Sequence, residues 1–215
     1  GVRRGVVAID PQTGETLWMY RLDEGPRGDG AIRGGTGHGV VYWTDGKEDR
    51  IVYVTPGHQL VDLNAKTGIP VPTFGRNGII DLKTEADQVL DPVTGELGLH
   101  STPLVVNDVI VVGAAHRPSG GPTTRRNNAK GYIRGYDART GKRLWIFHTI
   151  PQPGEFGNET WLNDSWSWAG NTGVWAQMSA DPELNLVYMG VEMPKGVVFE
   201  KAYSMSERPQ HPAHR

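Results

Sequence analysis

The chain has 215 residues and a formal net charge of -2, so it offers no strongly basic surface for nucleic acid or an anionic membrane. It contains no cysteine, which excludes disulfides, thiolate metal sites and cysteine nucleophiles. No stretch approaches the ~20 apolar residues that a membrane-spanning helix needs. The 29 glycines and 15 prolines favour a chain rich in turns over one built from long helices.

An internal repeat begins near the start of the chain and is its strongest pattern. The segment AIDPQTGETLW at 8–18 recurs as GYDARTGKRLW at 135–145. A shorter copy without tryptophan, DLNAKTG, stands at 62–68. Successive copies lie more than fifty residues apart along the chain. This spacing fits propeller blades with inserted loops better than compact solenoid repeats.

The repeat has a direct physical interpretation as a β-hairpin. An apolar strand ends at Asp10, whose side chain can accept hydrogen bonds from the backbone of the following turn. Gly14 can adopt the positive φ that such a turn requires. The chain then returns as a second strand that ends in Trp18, a large apolar side chain suited to fill the space between stacked sheets.

Three further hairpins follow in chain order. Apolar strands at 40–43 and 51–54 flank a Thr-Asp-Gly turn, and strands at 104–106 and 109–112 flank an Asn-Asp pair. A third turn at 181–185 leads into an apolar strand. No long stretch shows the period of 3.6 residues that marks an amphipathic helix. The predicted fold class is therefore all-β.

The hairpins group into sheet units of the kind that form propeller blades. The first repeat predicts the outer hairpin of one blade. A second blade is predicted at residues 38–75 and a third at residues 101–149. Residues 171–190 are predicted to begin a fourth blade. A closed ring takes typically 4–8 blades, so we expect a β-propeller of which only about three to four blades are present. We expect residues 1–190 to form this partial propeller and 191–215 an irregular tail. The start Gly-Val-Arg-Arg shows no signal-peptide pattern, and we expect a mature form or a fragment.

The Ala-x-Asp-x-x-Thr-Gly-x-x-x-Trp repeat resembles the tryptophan-docking motif of the pyrroloquinoline quinone (PQQ) dependent dehydrogenases. Other segments resemble that family in the same order along the chain. They are RIVYVTP at 50–56, the run from GYIRGYD to WIFHTIP at 131–151, and NTGVW at 171–175. The resemblance covers residues 5–190 and is greatest to the quinoprotein glucose dehydrogenase-like branch.

The resemblance implies an eight-bladed propeller that oxidises an alcohol or aldose by hydride transfer to PQQ and passes electrons to a quinone or a cytochrome. It also implies a Ca²⁺ ion beside PQQ and a periplasmic location, with association to the inner membrane left open. The alcohol-oxidising branch holds two adjacent cysteines against PQQ, and their absence here favours the sugar-type or another divergent branch. The alternative is a non-enzymatic propeller of the same repeat type that acts as an envelope scaffold.

Trp175 is the first candidate for cofactor binding, because a flat tricyclic ring needs a flat aromatic floor. In the resembling family, the tryptophan after this Asn-Thr-Gly stretch lies under PQQ; the alternative is a core or blade-docking tryptophan. His38 stands where those enzymes usually carry an arginine that contacts PQQ, and Arg33 lies near the position of the missing cysteines. Either side chain could bind a PQQ carboxylate or quinone oxygen, and either could be an ordinary loop residue.

His116 and Arg117 follow the strand at 109–112, where the resemblance implies that groups gather around the cofactor. The family's metal-binding carboxylate should lie nearby, but the chain has Pro-Ser-Gly-Gly-Pro at 118–122. No metal ligand is therefore assigned, because Ca²⁺ needs several oxygen ligands, usually carboxylates.

The catalytic base implied by the family is an aspartate of a later blade, so the catalytic residues stay unknown and we expect this chain alone to be inactive. We interpret the tryptophan-rich stretch at 155–168 as a loop packed on the propeller; the alternative is a sugar-binding wall. If the chain is part of an enzyme, we expect Trp175 and the loops at 33–38 and 113–130 to line one pocket. If the chain is a scaffold, we expect these three segments not to share a pocket.

Overall fold

Two four-stranded antiparallel sheets, flanked by two-stranded hairpins, make up the computed structural model of this chain. It describes residues 5–32, 39–99, 101–116 and 129–195. The strands are β1 (Val6–Ile9), β2 (Thr16–Tyr20), β3 (Val41–Thr44), β4 (Asp49–Val54), β5 (Gln59–Asn64), β6 (Ile79–Asp81), β7 (Leu97–Gly98), β8 (Leu104–Val106), β9 (Val109–Val112), β10 (Ala115–His116), β11 (Ile133–Asp137), β12 (Arg143–Phe147), β13 (Gly170–Asn171), β14 (Ser179–Asp181), β15 (Leu186–Tyr188) and β16 (Pro194–Lys195).

Helices are short in the described residues. They are α1 (Gly25–Asp29), α2 (Ser165–Trp168) and two 3₁₀ turns at Asn158–Thr160 and Leu162–Asp164. None of the helices in the described ranges is long and apolar enough to span a membrane.

The sheets follow one another as propeller blades. The chain forms the hairpin β1–β2, then the sheets β3-β4-β5-β6 and β8-β9-β11-β12, and then the hairpin β14–β15. Strand β8 lies beside both β3 and β14, so the first strands of three consecutive units are neighbours, as they are around a propeller axis. The all-β partial propeller predicted from the hairpins is confirmed. The second blade spans 41–81 instead of 38–75, because a loop separates its last strand from the Thr-Gly turn.

One type of turn closes the outer hairpins of the blades. Oδ1 of Asp10 accepts hydrogen bonds from the backbone N–H of Gln12 (2.7 Å) and of Thr13 (2.9 Å), and Gly14 follows with φ 75°. The copies at 64–68 and 137–141 are built in the same way, with Asn64 in place of aspartate in one of them. The Thr-Gly repeat is therefore a structural signature of the blade, as its sequence predicted.

Most tight turns lie on one edge of the sheets, and the longest loops lie on the other. Because the strands of a blade are antiparallel, the connections from first to second and from third to fourth strand share one edge. This edge carries the short turns at 10–15, 45–48, 107–108 and 138–142, together with the longer connection at 65–78. The other edge carries the short connection at 55–58 and the long connections at 21–40, 82–103, 113–132 and 148–178. Binding residues are expected among the long loops, because a rigid scaffold positions them there.

Trp18 links the first blade to the second. Its indole N–H donates a hydrogen bond of 2.9 Å to the carbonyl of Ala65, and its ring covers Gly68, where an added Cβ would lie 2.5 Å from the ring. The indole also packs against the buried cluster formed by Tyr53, Val61 and Leu63. The docking role predicted for this tryptophan is observed.

The repeat copy without tryptophan docks through a different residue. After its turn, the loop at 69–78 places Phe74, which is fully buried, among side chains that include Ile110 and Tyr136 of the next sheet. The backbone N–H of Gly75 donates a hydrogen bond of 2.9 Å to the carbonyl of Thr140. At the interface between the second and third blades, Phe74 thus takes the place of the indole ring. The backbone N–H of Gly75 takes the place of the indole N–H.

Arg50 links the second blade to the third through its charged guanidinium group. Its guanidinium donates hydrogen bonds to Oδ2 of Asp62 (2.9 Å) and to the carbonyls of Ala138 (3.1 Å) and Arg139 (2.9 Å) in the next blade. It also lies 5.0 Å from the ring centre of Trp43. Burial raises the pKa of Asp62 to about 7, although the charge of Arg50 opposes this shift.

The stretch 191–195 contains a short strand. β16 pairs with β13, with Asn171 opposite Pro194. The sequence predicted an irregular tail from residue 191, and a two-residue strand carries no alternating pattern that could have revealed it. The remainder of that tail, from residue 196, lies outside the described residues.

Candidate functional site

The segment 170–175 lies on the loop edge, where the chain passes from the third blade to the fourth. The backbone N–H of Asn171 donates to the carbonyl of Ala129 (2.9 Å), and the carbonyl of Asn171 accepts from Gly131 (2.6 Å). On the other side, the N–H of Glu192 donates to the carbonyl of Gly173 (2.9 Å). The segment is therefore held between two backbone neighbours.

Glycines allow the backbones around this segment to approach each other closely. A Cβ added at Gly173 would overlap with the carbonyl oxygen of Ala114, and one added at Gly113 would overlap with the carbonyl oxygen of Val174. A Cβ at Gly131 would overlap with Gly173 itself. The residues before Trp175 are therefore packed directly against both ends of the connection at 113–132.

Two consecutive residues of the segment have a strained backbone. Asn171 has φ 66° and Thr172 has φ 52°, and a positive φ is a genuine outlier for β-branched threonine. The surroundings hold this geometry: Oγ1 of Thr172 lies 3.1 Å from Oγ1 of Thr149, and Nδ2 of Asn171 donates to the carbonyl of Met193 (2.9 Å). Strain of this kind persists where the structure enforces it, and it is concentrated at functional sites.

Trp175 follows this clamped segment directly and is 45% exposed. The four preceding residues, 171–174, are buried. Trp175 also belongs to none of the apolar clusters formed by the described residues, whereas Trp18 and Trp43 do. A large, half-exposed ring on a rigid base matches a stacking platform better than a core or docking tryptophan.

His116 lies near this segment but is buried. Strand β10 contains His116 and is a neighbour of β13, which lies just before Trp175 in the chain. His116 is therefore close to the segment 170–174. Its imidazole is 2% exposed, and Nε2 lies 3.4 Å from Oε2 of Glu96. The side chain therefore contacts the loop before β7.

Three other predicted site residues, Arg33, His38 and Arg117, lie outside the described residues. The described chain resumes at Gly39, where an added Cβ would lie 2.8 Å from Oγ1 of Thr102. The structure thus brings together 113–116, the start of the loop at 113–130, and 171–175, whereas 117–128 of that loop lie outside the described residues. The position of 33–38 stays a prediction.

The tryptophan-rich loop packs on the propeller, as its first interpretation proposed. Its three tryptophans are partly buried and surround a small apolar cluster. The members of this group are Trp161, Trp166 and Trp168, packed on Tyr132, Ile150 and Ala169. This packing accounts for the composition of the loop without a bound sugar.

Lys130 and the strained pair Asn171–Thr172 are parts of the site that sequence reasoning missed. Lys130 forms a bridge with Asn171, and its Nζ donates to the carbonyl of Ser167 (3.4 Å). Burial lowers the pKa of this lysine. In the sequence, Lys130 does not differ from an ordinary surface lysine. Only the glycines around it indicate that two backbone segments approach each other closely there.

A metal centre is not formed by the described side chains. Within residues 5–32, 39–99, 101–116 and 129–195, no group of three or more histidines, aspartates or glutamates could hold a metal ion. The donor set therefore does not fit a Ca²⁺ site within these ranges, and no metal ligand is assigned.

Comparison with known families gives a clear match. The family model for PQQ, described as glucose/ethanol/alcohol dehydrogenase, beta-propeller domain, matches residues 2–203. The glycerol dehydrogenase large subunit of Gluconobacter oxydans (strain 621H) is 30% identical over 212 residues, which are 95% of this chain and 26% of that protein. Quinoprotein glucose dehydrogenase A of Acinetobacter calcoaceticus is 30% identical, with 89% of this chain and 24% of that protein covered.

Solved structures agree with the fold. Quinohemoprotein alcohol dehydrogenase ADHIIG from Pseudomonas putida HK5 superposes with a TM-score of 0.63 at 26% identity. The match covers 89% of this chain and 26% of that structure. The chain thus spans about a quarter of the length of these relatives.

Proposed function

Because this chain belongs to the family of PQQ-dependent glucose, ethanol and alcohol dehydrogenase β-propeller domains, we propose that it is part of an enzyme that oxidises an alcohol or an aldose. Both relatives described above are named as dehydrogenases of a polyol or a sugar. The absence of cysteine in these 215 residues favours the sugar-type or another divergent branch. Electrons from the substrate would pass to a quinone or a cytochrome.

One observation supports this proposal most strongly, namely the position of Trp175. Its half-exposed indole stands on the loop edge at the end of a buried, glycine-clamped segment. PQQ is planar, so it would stack on this ring, and the rigid base would fix the ring's orientation. The described residues on either side of Arg33, His38 and Arg117 belong to connections on this edge, and the three residues themselves lie outside the described ranges.

The roles of the chain's own residues follow from this placement. When bound, PQQ accepts the hydride that leaves the carbon of the substrate. Trp175 would bind and orient the ring. Arg33, His38 and Arg117 would pair with its carboxylates or quinone oxygens, since cations and N–H donors suit such acceptors. The base that removes the hydroxyl proton would come from a later blade, so this chain alone would be inactive.

A titration of the 215-residue chain with PQQ, followed by tryptophan fluorescence, tests this proposal. We expect saturable quenching in the wild type and its loss in Trp175→Ala. Trp161→Phe is the matched control, because Trp161 packs within the loop and should not affect quenching. The same chain should not reduce a redox dye in the presence of glucose.

Two results would contradict the proposal. Quenching that survives in Trp175→Ala would place the cofactor elsewhere on the chain. A folded wild-type chain without saturable quenching would favour the scaffold function instead.

We also propose a periplasmic location for this enzyme, in association with the inner membrane. A quinone acceptor lies in the membrane, so a propeller that reduces it must work at the membrane surface. Fractionation of cells that express the native gene, with soluble periplasm separated from washed membranes, tests both parts of this location. Recovery in the cytoplasmic fraction would contradict it.

A further inference from the structure

Arg134 is a buried arginine that forms no ion pair with the described residues. It lies on β11, is 1% exposed, and extends from the third blade to the second. Its Nη1 donates hydrogen bonds to the carbonyls of Leu82 (2.6 Å) and Glu85 (3.1 Å), and its Nη2 lies 3.3 Å from Nε2 of His58. None of these partner groups carries a negative charge. The positive charge of the guanidinium is therefore buried without a counterion, which is costly in a protein interior.

One edge of this guanidinium has unused binding capacity. Nε–H and one N–H of Nη2 point in the same direction and form the fork that binds a carboxylate or another anion. Nε of Arg134 is buried and has no hydrogen-bond partner among the described residues. The partner of Nη2 is the imidazole of His58. The fork of Arg134 therefore lacks an anionic acceptor within the part of the chain that the structure describes.

His58 adds a second unused donor. Its pKa is held well below the usual 6.5 by burial and by the charges of Arg134, Lys83 and Arg27, so its imidazole is neutral. A guanidinium N–H can only donate, so Nε2 accepts from Arg134 and the proton of the ring lies on Nδ1. Nδ1 is buried, and no described residue accepts a hydrogen bond from it.

Tyr136 adds a third donor. It lies two residues after Arg134 on the same face of β11, is fully buried, and has its ring centre 6.0 Å from the guanidinium carbon of Arg134. Its hydroxyl is buried and unpartnered in the described ranges. This face of β11 packs on the second blade, whereas Ile133 on the opposite face belongs to the cluster of Val174. We call His58, Arg134 and Tyr136 the interblade cluster.

Two further cations act on the interblade cluster. Lys83 is 3% exposed, and its Nζ donates to the carbonyls of Pro92 (3.3 Å) and Val93 (3.4 Å). Arg27 forms an ion pair with Asp81, with 2.7 Å between Nη1 and Oδ2. The charges of both cations reach the imidazole of the cluster. Because Lys83 is bound by uncharged carbonyls, it adds positive potential at the cluster.

Two carboxylates favour the charged form of Arg134 without forming an ion pair with it. They belong to Glu85 and Asp87. Glu85 contacts Arg134 through its backbone carbonyl, and Asp87 forms an ion pair with Arg143 (2.8 Å). Neither carboxylate therefore supplies an acceptor for the unused N–H of Arg134.

We propose that the interblade cluster binds one small monovalent anion of the size of chloride. The ion accepts hydrogen bonds from Nε–H of Arg134, Nδ1–H of His58 and the hydroxyl of Tyr136, and it neutralises the guanidinium. A halide suits this role because it accepts from donors in any direction, whereas sulfate or phosphate needs more space and brings more charge into the interior. A water molecule would satisfy the donors but would leave the charge of Arg134 uncompensated.

The missing acceptor is an ion and not a side chain from elsewhere in the protein. The unused atoms of all three residues are already inaccessible to solvent, so a side chain from another part of a longer protein cannot reach them. The interblade cluster lies between the second and third blades, and the segment 170–175 lies beyond the opposite face of β11. Anion binding is therefore independent of the proposed enzymatic function.

Urea unfolding of the 215-residue chain, in sodium chloride and in sodium gluconate at equal ionic strength, tests the proposal. Gluconate is too large for a closed site, so only chloride should raise the urea midpoint, along a saturation curve for one site. At a chloride concentration of about 100 times the dissociation constant, the ratio of folded to unfolded protein should rise about 100-fold. Equal ionic strength removes the general screening that both salts share.

Three variants assign the effect to the interblade cluster. Arg134→Met keeps an unbranched side chain but removes the charge and the fork, so the two salts should become equivalent. Tyr136→Phe keeps the ring and removes one donor, so the chloride dissociation constant should rise about tenfold. This second variant keeps the test valid if Arg134→Met does not fold. Arg21→Met is the matched control, because Arg21 is exposed, and it should respond to chloride as the wild type does.

Crystals grown in sodium bromide locate the ion directly, because bromide replaces chloride and scatters anomalously. We expect an anomalous peak within hydrogen-bond distance of Nε of Arg134.

Any of four results would overturn the proposal. A folded wild-type chain with equal urea midpoints in the two salts would show that no anion binds. A water molecule beside Nε of Arg134 in the bromide crystals would show that water fills the site. Saturable stabilisation that persists in folded Arg134→Met would place the ion elsewhere. An unchanged dissociation constant in Tyr136→Phe would exclude a site with all three donors.

Discussion

The indole N–H of Trp18 donates a hydrogen bond to the carbonyl of Ala65, 47 residues further along the chain. Together with the packing of the indole ring, this bond connects the middle of β2 in one blade to the turn of the next. It is a long-range contact between two copies of the same local motif. The stability of the first hairpin therefore depends on the turn at 64–68 as much as on its own residues.

Replacement of Trp18 separates the contributions of the ring and the hydrogen bond. Trp18→Phe keeps an aromatic ring but loses the N–H, and we expect a loss of about 1 kcal/mol. Trp18→Ala also loses the packing on Gly68, and we expect about 3 kcal/mol, the low end of the usual range because the ring is partly exposed. Urea denaturation at one protein concentration measures both. Phe156→Ala, at a residue that is 96% exposed, should cause no change.

Phe74 should be as important to the second blade interface as Trp18 is to the first. It is fully buried between two sheets, so Phe74→Ala should lower the free energy of unfolding by about 3–5 kcal/mol. The measurement is again a urea titration, with Val89→Ala as the control at an exposed position. A loss below about 1 kcal/mol would mean that the loop at 69–78 does not dock as described.

His58 should make the protein sensitive to acid. It is fully buried, and its Nε2 lies 3.3 Å from the guanidinium of Arg134. Burial, together with the charges of Arg134, Lys83 and Arg27, holds its pKa well below the usual 6.5. The folded state thus keeps His58 neutral while the unfolded state takes up a proton, so stability is full above pH 6.5 and falls as the pH drops below it.

His58→Asn tests this dependence, because asparagine tolerates the φ of 64° at this position. Urea midpoints between pH 4.5 and 8 should fall less steeply towards acid in the variant than in the wild type. Equal slopes would show that His58 does not titrate differently in the folded and unfolded states.

Asp62 should have the opposite pH dependence. Its pKa is about 7 in the folded protein, against 3.8 for an ordinary aspartate, because burial penalises the carboxylate. Between these values the folded state binds a proton that the unfolded state has lost, so this group lowers stability as the pH rises from about 4 to 7. The penalty is complete above pH 7.

Asp62→Asn should remove that contribution and leave an amide oxygen that still accepts from Arg50. Relative to the wild type, the variant should gain stability as the pH rises from 5 to 8, measured by urea midpoints. Asp91→Asn is a useful control, since Asp91 is an exposed turn residue. A variant that loses stability at every pH would mean that the Arg50–Asp62 ion pair outweighs the cost of burial.

Local features of this fold were accessible from the sequence. The Asp-x-x-Thr-Gly turns, the hairpins and the docking role of Trp18 all follow from residues that are neighbours in the chain. The role of Phe74 did not, because it depends on a loop that reaches a turn over sixty residues away. The buried position of His116 was equally hidden, since its contact with Glu96 forms only when β7 and β10 pair.

The candidate site, like the fold, could be predicted only in part from the sequence. Trp175 could be singled out by its resemblance to a known motif, and its role as a cofactor platform stays a prediction. The strain at Asn171 and Thr172 could not be inferred, because it results from backbones pressed together at Gly113, Gly131 and Gly173. Single-sequence patterns report the preferences of a residue and do not report where tertiary packing overrides them.

The concentration of the repeated turns on one edge and of the longest loops on the other also has a practical meaning for recombination. The turns at 10–14 and 137–141 close with the same internal side-chain and backbone bonds, and the bonds that 137–141 accepts from Arg50 and Gly75 go to backbone carbonyls, so an exchange of side chains between the two turns would retain them. The loop edge has no such interchangeable parts, because each of its connections has a different length and different neighbours. New binding loops could therefore be grafted onto that edge, one blade at a time, while the turn edge keeps the blades in register.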